Sequence, residues 1–359
     1  MLISIFASIW SQNIWDELIL KNEITILERK YWEDTQFIVF SYDPETPFFK
    51  KKNVSYREYF PLWIKDKKNI FKNIANLFSF LNIVRKSDRI VIGWWWIIYD
   101  TEKEITNNPL DMWWVRAKIF KFFGKKVEFF RVWIDIKDIS IPAKWKNNLE
   151  KVREIFSVAE YISVRDVYSH NLLSELWIKS ALKKDPVFYD RNKEISQTSL
   201  IKSIVSQEFS YRDLNDIELE GKRVWIAFRK WYLTNHKSNI ADQMEEGKIN
   251  EIINFILESG WEIVFLPHSF HEKNIPSNDY VFLKQFLRKE VLQKFPKKIS
   301  ITKSMDKTYK YYKDKKIDIC LAQRLHSIVL SHVYEIPFIG ISYGRKTHEI
   351  LQSLEITKN

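Results

Sequence analysis

Glycine is scarce in this chain, at 7 of 359 residues, where the usual frequency would supply roughly 25. So few glycines leave little backbone able to take positive φ or to approach a ligand without a Cβ in the way. Cysteine is scarcer still. The single Cys320 excludes an internal disulfide and a cysteine-based zinc site, and it suits a reducing compartment, so a cytoplasmic location is expected. No run reaches the roughly 18 uninterrupted apolar residues that a membrane span needs. The apolar opening Met1 to Ile9 lacks a basic leader and a small-residue cleavage site, and polar Ser11, Gln12 and Asn13 follow at once. It reads as a buried first strand. No His-x-x-x-His pattern or carboxylate cluster has ligand spacing, so neither a metal nor another cofactor is expected. Nothing looks like a helix-turn-helix or an aromatic ribonucleoprotein signature, which argues against a nucleic-acid partner.

What is present describes a folded protein of 45% hydrophobic and 29% charged residues, long enough for two domains. The net charge of +11 attracts anions such as acidic glycans, lipid head groups or phosphorylated metabolites without choosing among them. The lysine runs 50–52, 65–68, 297–298 and 313–316 read as solvated faces. His236, His271, His332 and His348 read as loop or surface residues.

Tryptophan is in excess, with 15 copies. Glycine and tryptophan together, 7 + 15 = 22, come close to the expectation for glycine alone, and many tryptophans stand where glycine belongs. Trp177 ends a helical pattern at a C′ position, and Trp261 follows Gly260 at a helix-to-strand junction. Trp15 opens a helix, and Trp94, Trp95 and Trp96 follow a strand where a doubly wound fold needs backbone room. The reading is that UGA codons meaning glycine have been translated as tryptophan at Trp15, Trp94, Trp95, Trp96, Trp133, Trp177, Trp225 and Trp261. At least one of Trp113 and Trp114 is read as genuine. In the form carrying tryptophan, crowded or exposed indoles are expected at the ends of strands and helices.

Short apolar strands alternate with longer amphipathic helices, the pattern of parallel sheets covered by helices. The class is α/β. Strands are predicted near 2–7, 35–41, 89–93, 126–132, 161–164, 223–228, 262–266, 299, 317–321 and 338–342. Helices are predicted over 16–31, 70–84, 109–123, 144–157, 167–176, 239–258, 279–292, 304–313, 324–335 and 347–354. The polar stretch 191–220 reads as a linker between an N-terminal Rossmann-like domain, 1–190, and a second, 221–359. The two halves are expected to face each other across a cleft, with ligands at the carboxyl ends of the strands.

Three stretches carry chemistry. Ser8 to Leu20 (SIWSQNIWDELIL) is a strand, a polar loop and a helix opening on Asp16 and Glu17, whose free amides suit an anion or sugar hydroxyls. Ile90 to Asp100 (IVIGWWWIIYD) becomes a strand ending in a glycine run when tryptophan is read as glycine. Near the C-terminus, QRLHSIVLSHVYEIPFIGISYGRK places Arg324 and His326 at a helix start before an apolar strand.

With those glycines restored, the chain resembles the polysaccharide pyruvyltransferase family. Asn13-Ile14-Trp15-Asp16-Glu17 matches its Gly-Asn-x-Gly-Asp-Glu type loop, and the resemblance continues through RVWIDI, ISVRD, DPVF, VWIAFR, FLPHS and the Arg-x-His-Ser helix. It covers nearly the whole chain and implies a GT-B-like fold. It also implies transfer of the enolpyruvyl group of phosphoenolpyruvate to a saccharide, free or lipid-linked, as a ketal in cell-wall or exopolysaccharide synthesis. Peripheral association with the inner face of the membrane fits such an acceptor.

A donor with carboxylate and phosphate calls for guanidinium groups, and Arg324, Arg229 and Arg165 lie at or just after predicted strand ends. A general acid must protonate the vinyl carbon, and His326 is assigned that role. His268 and Ser269 are candidate contacts for phosphate or acceptor. Asn13, Trp15, Asp16, Glu17, Gly93, Trp94, Trp95 and Trp96 are assigned to acceptor or loop. Two alternatives stay open here: a GT-B glycosyltransferase using a nucleotide sugar, and a non-catalytic binder of anionic glycans or nucleic acid. Fold alone does not separate the enzymes.

Overall fold

The computed structural model describes residues 1–7, 13–41, 44–45, 47, 49–58, 70–93, 96–99, 109–135, 142–187, 199–205, 210–214, 223–228, 246–270, 278–287, 293–342 and 345–356. The chain divides into two compact units, Met1–Ser11 with Asp16–Asp190, and Gln12–Trp15 with Arg191–Asn359. Each carries one parallel sheet.

In the first unit the strands are β1 (Leu2–Phe6), β2 (Gln36–Ser41), β3 (Val54–Glu58), β4 (Arg89–Gly93), β5 (Trp96–Tyr99), β6 (Lys126–Asp135), β7 (Ala159–Val164) and β8 (Ala181–Leu182). Their order is β3-β2-β1-β4-β6-β7-β8, with β5 pairing β6 off that path. Helices α1 (Ile14–Tyr31), α2 (Ile70–Lys86), α3 (Pro109–Phe122), α4 (Pro142–Phe156) and α5 (Val167–Glu175) connect them. Helix α1 has Asp16 and Glu17 in its first turn and Arg29 and Lys30 in its last, which complements the helix dipole. The central strands are apolar on both faces because helices cover both: Phe6, Ile90, Ile92, Phe129 and Val132 pack with Phe80 and Phe120 in one core.

The second sheet runs β12-β11-β10-β13-β14-β9, all parallel. Its strands are β9 (Leu200–Val205), β10 (Arg223–Ala227), β11 (Glu262–Phe265), β12 (Ile299–Ile301), β13 (Ile319–Ala322) and β14 (Phe338–Ser342). The helices are α6 (Glu246–Glu258), α7 (Asp279–Phe286), α8 (Met305–Lys313), α9 (Leu325–Val333) and α10 (Arg345–Ile356). Strand β9 corrects the expected linker 191–220, since it supplies the edge of this sheet beside β14. An edge strand with Ile201 and Lys202 exposed has no strong apolar run to announce it. His332, expected on a surface, is buried in α9. No described helix is long and apolar enough to cross a membrane.

Helix ends bear on the tryptophans. After α5, Trp177 lies at φ 61. Its N–H donates to the Ser174 carbonyl at 3.0 Å, and the Ile178 N–H donates to Leu173 at 2.8 Å. This is a Schellman ending, and Gly124 and Gly260 adopt it with the same pair of bonds. Lys315 and Glu335 also adopt it, so the position accepts other residues at a cost. Trp177 is 94% exposed and packs on nothing that would repay that cost. Trp32, after α1, was not singled out from the sequence, yet its φ of 98 suits glycine still better, and it is 80% exposed.

Left-handed backbone costs a residue with a Cβ about 1 to 2 kcal/mol. Trp32→Gly and Trp177→Gly are each expected to stabilise the protein by about 1 kcal/mol, or roughly 2 to 4 °C in Tm for a unit of this size. Calorimetry on the two variants checks this, and an unchanged or lower Tm contradicts it.

The other described indoles are not all at element ends. Trp225 lies mid-strand in β10, packed on Tyr311 at 4.5 Å between ring centroids, and its Nε1 has no hydrogen-bond partner among the described residues. The expected crowding at element ends is therefore wrong for Trp225, which the strand pleat turns into the core, whereas Trp15, the second residue of α1, is a crowded indole at a helix start. Trp261 is partly buried against the second core, and Trp133 lies within β6. Trp94 and Trp95 lie outside the described residues, and Trp96 opens β5.

Candidate active site

The second sheet fixes where a ligand would sit. Strands β11 and β13 flank β10 on opposite sides, so the order reverses beside β10, and a doubly wound sheet binds ligands at the carboxyl ends of strands at such a point. The Ala227 carbonyl closing β10 accepts N–H groups from Gln323 at 3.3 Å and Arg324 at 3.1 Å, which fixes the turn from β13 into α9 at that point. Arg324 is the N-cap of α9, and His326 lies in its first turn. The Ser327 hydroxyl donates back to the Arg324 carbonyl at 2.7 Å and locks the turn.

Arg324 is 5% exposed, and its Nη2 is ion-paired with Asp279, the first residue of α7. Its Nε has no hydrogen-bond partner among the described residues. The other Asp279 carboxylate oxygen accepts the backbone N–H groups of His268 at 3.0 Å and Ser269 at 3.1 Å. The Asp279 N–H donates to the Ser269 carbonyl at 2.9 Å. The sequence reading missed Asp279, because an acid in the first turn of a helix looks like ordinary dipole compensation.

His268 proves closed to a ligand, contrary to its expected contact with the donor or acceptor. It is fully buried, and both ring nitrogens are engaged: Nδ1 with the Leu266 carbonyl at 2.9 Å and Nε2 with the Tyr312 hydroxyl at 3.2 Å. A carbonyl only accepts, so Nδ1 carries the hydrogen and Tyr312 donates to Nε2. Burial, and next the positive charge of Arg324, push His268 down to about 3, so it is neutral at physiological pH and no general acid. Beyond Tyr312 lies Cys320, whose thiol burial pushes up to about 12.

Segment 13–15 joins this cluster. Asn13 bridges Ser269 in antiparallel fashion, and the Ile14 N–H donates to the His268 carbonyl at 3.3 Å. The Asn13 side chain caps α1 by accepting the Trp15 N–H at 3.1 Å. The Trp15 indole, 4% exposed, stacks on the His326 imidazole with centroids 4.8 Å apart and planes at 9°. His326 and His268 stand 6.4 Å apart, centroid to centroid. Six residues predicted from the sequence, Asn13, Trp15, His268, Ser269, Arg324 and His326, thus meet at one end of one sheet.

The others belong elsewhere. Arg165, in the first unit, is ion-paired with Asp185 at 2.6 Å, and Arg229 lies outside the described residues. Asp16 and Glu17 are buried in the first unit. Burial raises Glu17 to about 7, against the lowering effect of a hydrogen bond from the Phe49 backbone, so this carboxyl can exchange a proton near neutral pH. Gly93 was expected to leave room for a ligand. Instead Glu23 fills that room: a Cβ on Gly93 would lie 2.8 Å from Oε2 and 2.9 Å from Oε1.

Glu23 is fully buried, and neither oxygen has a hydrogen-bond partner among the described residues. Burial and the nearby Glu128 carboxylate hold its pKa well above the usual carboxylate range, with Arg131 opposing. The folded protein therefore keeps a proton that the unfolded chain releases near the ordinary value of about 4.3. Stability attributable to Glu23 falls as pH rises from there towards the folded pKa. Glu23→Gln, which mimics the protonated form, is expected to raise Tm at pH 8, with the gain shrinking as pH approaches 4. Thermal melts across that range test it, and a variant less stable at pH 8 contradicts it.

The family model for polysaccharide pyruvyl transferase matches residues 13–345. No curated protein sequence matches the chain. Among solved structures it is similar to UDP-GlcNAc 2-epimerase from Methanocaldococcus jannaschii, with TM-score 0.52 and 12% identity over 100% of this chain and 93% of the other. It is also similar to Os79 from O. sativa in complex with U2F and trichothecene, with TM-score 0.50 and 10% identity over 98% of this chain and 84% of the other. At such identities these likenesses speak for the fold, a GT-B-like pair of Rossmann-like domains. The match over residues 13–345, which takes in the 13–15 segment and the Arg324–His326 turn, shows that the chain belongs to the polysaccharide pyruvyl transferase family.

Proposed function

We propose that this transferase moves the enolpyruvyl group of phosphoenolpyruvate onto a saccharide as a ketal, with Arg324 and His326 as its catalytic pair. The observation that carries the reading is their joint placement where β10 and β13 end. Arg324 is a buried guanidinium with an N–H to spare, suited to a phosphate or carboxylate oxygen.

In this reading His326 gives its proton to the methylene carbon of the donor, and C2 becomes electrophilic. A sugar hydroxyl attacks C2 and loses its proton. The C2–O bond to phosphate breaks, and a second hydroxyl closes the ketal and loses its proton in turn. The two hydroxyl protons balance the one gained by the methyl group and the one carried off with phosphate.

Arg229 completes the donor set, and Ser269 is its backbone-anchored neighbour. Asn13, bridged to Ser269, serves the acceptor. No cofactor takes part. The acceptor is a free or lipid-linked saccharide of the cell wall or an exopolysaccharide, met in the cytoplasm at the inner membrane face.

The competing donor is a nucleotide sugar. Offering each donor separately with the same saccharide panel decides between them. Phosphate release from phosphoenolpyruvate, with no nucleotide released from the sugar donors, is expected, and the reverse pattern would overturn the reading.

A further inference from the structure

We infer that Asp279 is a positioning residue for donor binding, its carboxylate splitting to aim the Arg324 guanidinium with one oxygen and to fix the 268–269 turn with the other. This rests on the reading of Arg324 as the group that grips the anionic donor. The pair is nearly closed to solvent, with side chains 6% and 3% exposed.

A buried ion pair is a poor source of stability, since desolvation of both charges offsets much of their attraction. A hydrophobic pair of the same volume would serve a core equally well. What an ion pair supplies is orientation: Nη2 is committed to Asp279, and the planar fork then leaves Nε pointing in one direction, without a partner among the described residues. The second oxygen extends the same constraint to the chain after β11. There it takes both the His268 and Ser269 amides, and Ser269 is in turn bridged to Asn13, two residues before the indole that covers His326. One carboxylate thus connects the arginine to the turn and, through it, to the segment beside the histidine.

A role confined to folding would lower the active fraction, and so kcat, together with Tm, and would leave KM alone. A positioning role shows in KM. Asp279→Asn keeps the size and an oxygen for the amides but removes the charge facing Arg324. Its KM for phosphoenolpyruvate is expected to rise about ten- to a hundredfold, with kcat at saturating donor changed by no more than about threefold, and Asp279→Glu is expected to recover part of the loss. Should Asp279→Asn fail to fold, Asp279→Glu carries the same test with a smaller rise in KM.

Calorimetric binding of phosphoenolpyruvate without acceptor separates this inference from the function it rests on. A parent protein that binds the donor but never turns it over, with weaker binding in Asp279→Asn, would leave the positioning role standing and remove the proposed reaction. An unchanged KM and unchanged donor affinity in a folded Asp279 variant overturns the inference, as does a parent protein that does not bind the donor at all.

Discussion

His326→Ala is expected to lower kcat by about 10² to 10⁴-fold, the usual contribution of a positioned general acid, while KM for phosphoenolpyruvate moves only a few fold. The acid acts when the vinyl carbon takes its proton, so its loss falls on the transition state rather than on donor binding. His326 lies at the start of α9, and one contact it gives up, the Trp15 stack, is worth only about 0.5 to 1.5 kcal/mol. Arg324→Ala is less clean, because it strands the buried Asp279 carboxylate and removing one member of a buried pair costs about 3 to 5 kcal/mol. Steady-state kinetics on a His326→Ala protein with a parental thermal transition checks the assignment. A kcat equal to the parent's removes His326 from the chemistry.

Glycine at Trp15, Trp94, Trp95, Trp96, Trp133, Trp177, Trp225 and Trp261 is expected to give a more soluble and more active enzyme than the tryptophan form, and the gene is expected to carry UGA at these codons. Trp15 makes the sharpest case. Its indole lies flat over His326, so with glycine there the imidazole face is open to a substrate. The two readings of this residue predict opposite signs. A genuine buried tryptophan replaced by glycine leaves a cavity costing about 3 to 5 kcal/mol, and such a variant would melt early and turn over more slowly. If glycine is the functional residue, Trp15→Gly gains turnover. Trp225 argues in the same direction, since burying an indole N–H without a partner costs roughly 1 to 3 kcal/mol. Expression of both forms, followed by activity and melting measurements, tests the idea, and UGG at every one of these codons contradicts it.

The parallel α/β architecture was legible because its central strands are nearly pure apolar runs: LISIF, RIVIG, ICLA and FIGIS are buried on both faces and cannot be mistaken for surface. Strands β3, β5, β8 and β9 were not legible. VSYRE and LIKSIV alternate weakly at sheet edges, and Ala181–Leu182 is too short to show a period. The Arg324–His326 turn could be read because its spacing at a helix start is distinctive. Asp279 could not, since its importance comes from partners 10, 11 and 45 residues away. His268 looked like a ligand from its place after β11. Only the packing of Tyr312 against it shows that its second nitrogen is spent inside the fold. Gly93 was expected to leave room for a ligand, but the occupant of that room, the Glu23 carboxyl, comes from the middle of α1, and nothing local announces it.

Phosphoenolpyruvate labelled with ¹³C in its methylene carbon, incubated with the full chain and a panel of cell-wall saccharides, tests the central claim most directly. The account predicts that one saccharide gains a labelled ketal methyl group and that inorganic phosphate appears in a one-to-one ratio with it. Labelled phosphoenolpyruvate recovered unchanged, while a nucleotide sugar offered in its place transfers its glycosyl group, would contradict it.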